Sequence, residues 1–514
     1  MRAGAAARRV WLSMHGVLSG RVFDVGVIGG GLTGAAVARD AAGRGLSVFL
    51  CEQGDLAGGS SSATTKVVHG ALQLMESFRL RAMREAVTER EVLMNTAPHL
   101  VRPRRFLIPH HERQWSPLLT RLGLAAFDRV ARSSLPRSSI VDLHGHDGQL
   151  KQHFTTAFAY FDCMADDSRL AIANAIDAQI RGAAIEPRMR CVIAERDGGR
   201  WRLSLECAST GERSIAFVRM LVNAAGAAAG DVLNHVVHAH GRFGVRMSKA
   251  SHVVVRWPHR DTTAYALPTE DGGLVYAVPY EAGTMLVGPL VTEYSGEALK
   301  PAIGPNEVAY LLDVLSQYFQ SPPAGDDVLW AFASITTLPD DAGIARSGFE
   351  VVVDAPANIA PLFSAFGGSL LTHRRLAELA VDRMGRVRPI APAWTASTSL
   401  PGGAFPPSDF GGIVRAFCAA YPFLAEATVV RLVSAYGTRA SAILAGTRST
   451  ADLGGLYGAD LTQAEVSYLV QEEWAETAED VLWRRSKLGL HFTAAEAADL
   501  ERAMTRQQAV PEVA

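Results

Sequence analysis

Between Phe23 and Glu52 the apolar positions fall into two short blocks without alternation, Phe23-Asp-Val-Gly-Val-Ile and Leu46-Ser-Val-Phe-Leu-Cys. Unbroken apolar blocks of this length suit strands buried on both faces of a parallel sheet. Between them lie a glycine cluster and an alanine-rich stretch with helical spacing. The predicted order is therefore strand, glycine turn, helix, strand.

The pattern changes several times farther on. From Phe78 to Leu93 apolar residues recur at helical intervals among Arg and Glu, predicting a long amphipathic helix. Arg219-Met-Leu-Val-Asn reads as another strand of the first sheet. Four β-rich runs then follow, at His252, Ala264, Leu274 and Thr284, separated by turns such as Glu270-Asp-Gly-Gly and Glu281-Ala-Gly, and they predict an antiparallel sheet inserted between parts of the first fold. Pro361-Leu-Phe-Ser-Ala-Phe-Gly-Gly returns to a buried strand, and Arg374–Met384 reads as a helix. Beyond Pro401 the chain reads as helical to its end, with N-caps at Thr462 and Thr493, each three residues before a Glu. The expected class is α/β: residues 21–392 form a discontinuous Rossmann-type domain with the inserted sheet, 393–514 a helical domain, and 1–20 a disordered extension or the product of an upstream start, with Met14 the true beginning.

The glycine turn carries chemistry. In Gly29-Gly-Gly-Leu-Thr-Gly34, Gly29 suits the tight turn, Gly31 the approach of a pyrophosphate, and Gly34 close packing of helix on strand. The helix N-terminus then meets the phosphates with its positive end. Glu52, at the tip of the second strand, is placed to accept hydrogen bonds from a ribose. The unit predicts dinucleotide binding. A row of small hydroxyl residues follows, Ser61, Ser62, Thr64, Thr65 and then Lys66, suited to phosphate oxygens because hydroxyls and backbone N–H groups donate without bulk.

A length of 514 residues calls for more than one core. The net charge of −2 argues against a general polyanion-binding surface, so nucleic acid is not an expected partner. Five scattered cysteines without C-x-x-C spacing give neither a disulfide framework nor a metal site, and fit a reducing cytoplasm. No run of eighteen apolar residues occurs, so membrane attachment is expected to be peripheral.

Several longer strings carry a resemblance. Ile28–Gly34, Asp40-Ala-Ala-Gly-Arg-Gly-Leu-Ser-Val, Ser61–His69, Ala86–Glu91 with Ala97-Pro-His-Leu, Asp162-Cys-Met-Ala-Asp-Asp-Ser-Arg-Leu, Ser251-His, Phe366-Gly-Gly, and Glu473-Trp with Asp480-Val-Leu-Trp-Arg-Arg-Ser-Lys are similar to the FAD-dependent glycerol-3-phosphate dehydrogenases. The resemblance implies FAD, a glycine-oxidase-like substrate sheet, a polyol phosphate substrate, quinone as electron acceptor and peripheral attachment to the inner face of the cytoplasmic membrane, and it leaves a homodimer open. It also implies that His69, Gly367 and Gly368 border the cofactor. His252 is the first candidate for the base that takes the substrate's hydroxyl proton, with His69 and His373 behind it and Lys249 as a nearby cation.

The chain departs from the resemblance where substrate is expected. Gln73, Thr336 and Ser369 stand where the family carries two arginines and a lysine, and His373 replaces a tyrosine. At roughly 1.5–3 kcal/mol per charge-assisted hydrogen bond, three lost cationic contacts weaken phosphate binding by about 5 kcal/mol or more. Lys249, His252, His373 and Arg374 are the candidates for replacement charge. Three function classes follow: a glycerol-3-phosphate dehydrogenase with an unusual pocket, a FAD dehydrogenase or oxidase for a less charged hydroxy or amino substrate, and a non-catalytic flavin-binding paralogue.

Overall fold

The computed structural model describes residues 21–68, 80–110, 133–144, 149–239, 244–258, 263–298, 301–339 and 348–509. The expected extension 1–20, His69 and Gln73 lie outside the described residues. Strands follow in chain order as β1 (Val22–Ile28), β2 (Val48–Cys51), β3 (Val67–Val68), β4 (Val101–Pro109), β5 (Ser139–Asp142), β6 (Thr156–Ala165), β7 (Ala184–Glu186), β8 (Met189–Asp197), β9 (Arg200–Cys207) and β10 (Arg213–Asn223). They continue as β11 (Val245–Arg256), β12 (Ala264–Pro268), β13 (Leu274–Pro279), β14 (Thr284–Tyr294), β15 (Val328–Pro339), β16 (Phe349–Asp354) and β17 (Leu362–Gly367). The longer helices are α1 (Leu32–Gly43), α2 (Leu80–Thr96), α3 (Asp167–Ile180), α4 (Pro305–Tyr318), α5 (His373–Met384), α6 (Phe410–Ala420), α7 (Glu426–Tyr436), α8 (Gln463–Glu472) and α9 (Ala494–Ala509).

The first sheet runs β16-β17-β10-β1-β2-β7, parallel from β17 to β7, with β9 and β8 added antiparallel beside β10. Val25, Val27, Val48, Phe49 and Leu50 are fully buried, because helices cover one face and the β8–β10 meander the other. That double cover is the physical reason for the unbroken apolar blocks. Alanines of α1 let α3 and α5 pack closely against it.

The second sheet runs β15-β11-β14-β13-β12-β4-β6-β3, with β5 paired to β6. The α/β class with an inserted, mainly antiparallel sheet is as expected, but the sheet is larger than the four runs between His252 and Val287 indicated. Strands β4 and β6 come from an earlier part of the chain. On β4 the run Arg102-Pro-Arg-Arg, exposed except for the half-buried Arg104, interrupts the apolar pattern, which hides the strand. Helix α4 covers one face of this sheet. Val67, Phe106, Tyr160, Val254, Tyr276 and Phe332 line the other.

The C-terminal helices close on a core of their own, including Leu432, Tyr436, Leu469, Val481 and Leu500. A short ladder, Leu456–Gly458 against Leu461–Thr462, interrupts the expected all-helical run, at a point where Gly454 and Gly455 break helical pattern. Thr493 Oγ1 accepts from Glu496 N at 3.2 Å while Glu496 Oε2 accepts from Thr493 N at 2.8 Å, closing a capping box at α9. Among the described residues no helix is long and apolar enough to cross a membrane. All five cysteines are free.

Candidate functional site

The glycine turn after β1 is shaped by contacts that exclude side chains. Gly29 has φ +114°, and a Cβ there would lie 2.5 Å from the Ala224 carbonyl oxygen at the end of β10. A Cβ on Gly34 would overlap the Gly29 carbonyl oxygen, so α1 approaches the turn only because that residue has none. A Cβ on Gly31 would fill the space beside Ser61 Oγ, at 2.9 Å. Gly31 is the N-cap of α1 and has no side chain to cap it; Ser61 Oγ takes the Leu32 amide at 2.8 Å, and the positive end of the helix dipole still favours an anion there. Glu52 closes the turn: its Oε2 accepts from Gly30 N at 2.7 Å and its Oε1 from Gly54 N at 2.8 Å. Burial raises the Glu52 pKa, and the two backbone donors hold the charge in place. Gly367 and Gly368, at φ +68° and +90°, form the turn after β17, and Gly368 faces Thr33 in the first turn of α1. This is a cradle for a dinucleotide.

The hydroxyl loop lies across that cradle. Ser61 Oγ accepts from Leu32 N at 2.8 Å, and Ser60 Oγ bonds both the N–H and the carbonyl of Ile335, docking the loop on β15. Ser62 Oγ donates to the Gly59 carbonyl at 3.1 Å. Lys66 corrects the expectation of a phosphate contact. Its Nζ is buried, 2.5 Å from Asp167 Oδ2 and 2.7 Å from the Ser62 carbonyl, so the charge is spent inside the protein. Burial pushes its pKa down to about 8, against the pull of Asp167.

His252 lies on β11 facing the loop. Its Nε2 is 3.0 Å from Thr65 Oγ1, and its ring stacks on Phe332 with centroids 5.1 Å apart. Gly288 makes room for the ring, since a Cβ there would sit 2.5 Å from His252 Cδ2. Ser248 pairs with Thr336 and His252 with Phe332 across β11 and β15, so Thr336 shares the His252 face, roughly 13 Å along the strand from Phe332, and is exposed. Ser369 is exposed just after the glycine pair, its hydroxyl 3.2 Å from Thr372 Oγ1.

Two expected catalytic residues are not brought to this face. Lys249 points to the opposite side of the sheet, where Nζ bonds Glu307 at 2.8 Å and the Ala302 carbonyl at 3.1 Å, because strand alternation separates it from His252 by an odd number of residues. His373 opens α5 beneath the glycine turn, with Nδ1 2.7 Å from the Leu370 carbonyl and 2% exposure. Burial, helped by the Arg374 and Arg39 charges, pushes its pKa down to about 4, so it is neutral and structural. Arg374 is occupied as well: Nε and Nη2 each bond Glu89 at 2.6 Å, and Nη1 bonds Glu378. Both cations are committed to carboxylates within the fold.

The C-terminal helical domain reaches the loop that follows Glu52. Arg485 grips Asp55, just after Glu52, through two bonds of 2.8 Å, and Arg484 Nε bonds the same carboxylate at 2.6 Å. Arg169 pairs with Glu473, and Arg188 with Asp480. Lys487 Nζ bonds Ser168 Oγ at 2.7 Å, and Trp483 packs on Trp330 of β15 at 4.6 Å. The terminal Arg-Arg-Ser-Lys string was visible in the sequence, but its partners at 55 and 166–168 are too distant in the chain for local pattern to pair them.

A dinucleotide cradle on a parallel sheet, facing a second sheet that covers the reacting end, defines a dinucleotide-dependent oxidoreductase. Residues 24–374 match the FAD-dependent oxidoreductase family, and residues 393–507 match the C-terminal domain of alpha-glycerophosphate oxidase. The chain is 40% identical to a glycerol-3-phosphate dehydrogenase of Pseudomonas aeruginosa, over 92% of this chain and 93% of that protein. It is 38% identical to a D-erythritol 1-phosphate dehydrogenase of Brucella abortus, over 92% and 96%. The aerobic glycerol-3-phosphate dehydrogenase of Escherichia coli K12 matches at 36% over 92% and 95%. In fold, the glycerol-3-phosphate dehydrogenase of Bacillus halodurans complexed with FAD superposes with a TM-score of 0.73 at 22% identity, covering 99% of each chain. The chain belongs to the FAD-dependent oxidoreductase family, in the branch of the glycerol-3-phosphate dehydrogenases. The cradle fits FAD: space at Gly31 that a Cβ would fill, the N-terminus of α1 and a fixed acidic strand end stand where the pyrophosphate and ribose belong.

Proposed function

We propose that this protein is a polyol dehydrogenase, its substrate a polyol phosphate or a less charged polyol, that oxidises a secondary hydroxyl to a ketone and passes the electrons to quinone at the cytoplasmic membrane surface. Bound FAD supplies the hydride acceptor. Gly29, Gly31, Gly34 and the first turn of α1 hold its pyrophosphate, Glu52 its ribose, and Ser61, Ser62, Gly367 and Gly368 border it. His252 takes the hydroxyl proton, with Thr65 and Phe332 fixing the plane of the ring. The observation that carries this reading is the Thr65–His252 contact on the sheet face that meets the cofactor loop.

Gln73, Thr336 and Ser369 set the substrate. The relatives act on polyol phosphates of two lengths by their names, glycerol 3-phosphate and D-erythritol 1-phosphate. With neutral residues at three family cation positions, and with Lys249 and Arg374 paired elsewhere, the pocket favours a polyol carrying less charge or more hydroxyls than glycerol 3-phosphate. Anaerobic flavin reduction over glycerol 3-phosphate, four-carbon polyol phosphates and unphosphorylated polyols tests this. Bleaching by a longer or uncharged polyol at concentrations where glycerol 3-phosphate is slow supports the reading, and efficient bleaching by glycerol 3-phosphate overturns it. Membrane fractionation tests the acceptor: recovery with membranes and release by salt or mild detergent is expected, and a wholly soluble protein counts against quinone.

One observation favours a second reading, a flavin-binding paralogue without turnover. His252 is only 1% exposed, so a substrate hydroxyl reaches its ring only by displacing a packed neighbour. Flavin that stays oxidised with every polyol tried selects this reading.

A further inference from the structure

The residue whose hydroxyl meets His252 is clamped on both sides by one carboxylate. Asp167, fully buried at the start of α3, accepts through Oδ2 from Thr64 N at 3.1 Å, Thr64 Oγ1 at 2.9 Å and Lys66 Nζ at 2.5 Å. Thr65 stands between those two anchored residues. Lys66 takes a left-handed backbone, φ +62°, and its N–H donates to Thr64 Oγ1 at 3.1 Å, so the turn folds tightly around Thr65. Beyond it Ala165 N donates to the Lys66 carbonyl at 2.7 Å, and the two-residue strand β3, paired with β6, continues the hold.

The other oxygen of Asp167 is tied to the C-terminal domain. Asp167 Oδ1 accepts from Ser168 N at 2.8 Å, and Ser168 Oγ accepts from Lys487 Nζ at 2.7 Å. Lys487 Nζ lies 3.8 Å from both Asp166 Oδ1 and Asp167 Oδ1 and donates to the Trp483 carbonyl at 3.0 Å. Fixing the two domains together does not require this lysine, since the Asp55 carboxylate already binds Arg484 and Arg485, and Glu473 binds Arg169. Lys487 instead brings a second cation to the carboxylate that shapes the Thr64–Lys66 turn.

We propose that Asp167 and Lys487 are positioning residues for His252: from the two sides of the domain junction they lock the turn that presents Thr65 Oγ1 to the imidazole. The C-terminal domain thereby takes part in setting the reactive centre although it contributes no group that touches it. This rests on the reading of His252 as the base. Both buried lysines face carboxylates in one cluster, Lys66 with Asp167 and Lys487 with Asp166 and Asp167, so the hold on the turn depends on their joint balance. Removing Lys487 takes one of these two cations from Asp167 while its bonds from Thr64 and Lys66 remain, and loosens the turn. A displacement on the order of 1 Å at a proton-transfer group costs up to about a hundredfold in rate.

The test uses flavin-loaded full-length protein with 15N-labelled histidine, the His252 ring signals being assigned by their loss in His252→Gln. Thr65→Val should move the Nε2 signal, Lys487→Met and Asp167→Asn should move it in the same direction, and Thr65→Ser should restore the wild-type position. On the best polyol phosphate, Lys487→Met should lower kcat by about ten- to a hundredfold with KM changed about twofold or less. If Asp167→Asn does not fold, the Lys66→Met/Asp167→Asn pair, which removes both charges together, is read in its place. Unchanged His252 signals in flavin-loaded Lys487→Met and in the Asp167 variant overturn the proposal. Wild-type protein that turns over no substrate defeats the functional reading alone, because the ring signals still decide the positioning.

Discussion

The two ends of the site differ in what builds them. At the dinucleotide end the shape is made by backbone: Gly29 against the Ala224 carbonyl, Gly34 against the Gly29 carbonyl, and the Gly30 amide on Glu52. At the polyol end it is made by side chains on two sheet strands and a loop, and three of the four candidate replacement charges, Lys249, His373 and Arg374, are turned away or neutral. A backbone cradle cannot lose one residue without losing its fold, whereas a side-chain pocket can change its charge and keep its frame. The first end therefore tolerates little change, and the proposed function places the departure from the family at the second.

The largest effect is expected at the backbone end. Gly34→Val places side-chain atoms on the Gly29 carbonyl, and the purified protein should carry no flavin, read from the flavin-to-protein absorbance ratio. Full loading would show that helix and turn can separate without loss of the cradle. Next comes the clamp behind that end. Arg485→Met leaves the buried Asp55 with Arg484 alone and should destabilise the protein by about 3–5 kcal/mol in urea unfolding, while Asp55→Asn with Arg485→Met together should cost less. Equal losses in the single and double variants would remove the ion pair from the account.

At the polyol end the effect runs the other way. Gln73→Arg, Thr336→Arg and Ser369→Lys together should raise flavin reduction by glycerol 3-phosphate by roughly tens-fold or more. Each alone should do less, because a lone cation is desolvated without its partners. No gain in the triple variant would show that these positions do not face the phosphate.

The smallest effect tests pH at the edge of the cradle. Glu186, paired beside Cys51 on β7, has its pKa pushed up to about 7 by burial. A carboxyl whose folded pKa lies above its unfolded value binds more protons when folded, so its contribution is present at low pH and is lost as pH rises from about 4.5 through 7. Glu186→Gln should therefore raise thermal stability at pH 8, by about 1 kcal/mol, and leave it nearly unchanged at pH 4. A variant whose gain is the same at both values would contradict the burial cause.

Much of the first end was legible in the sequence because each feature there is local. A glycine every few residues, an apolar block on either side and Glu52 at the strand tip are separated by short, fixed distances, and Thr493 with Glu496 closed its capping box for the same reason. What was hidden depends on pairing across the chain. Asp167 binds Lys66 and lies beside Lys487, residues 101 and 320 positions away respectively, and charge alone does not reveal which carboxylate a lysine meets. Lys249 was misplaced for a simpler reason: its side of the strand follows from its separation from His252, and alternation puts an odd offset on the far face. Strand β4 was missed because Arg102, Arg104 and Arg105 give it a polar surface, although Phe106 on the same strand is fully buried.

The central claim is that the neutral polyol end, not the cradle, decides what this protein oxidises. Stopped-flow anaerobic reduction of the wild-type flavin, comparing glycerol 3-phosphate with a four-carbon polyol phosphate and with the unphosphorylated polyols at equal concentration, tests it most directly. The account predicts a fully flavin-loaded protein that glycerol 3-phosphate reduces slowly and one of the other polyols reduces faster. Rapid, low-KM reduction by glycerol 3-phosphate, with the others slow, would contradict it.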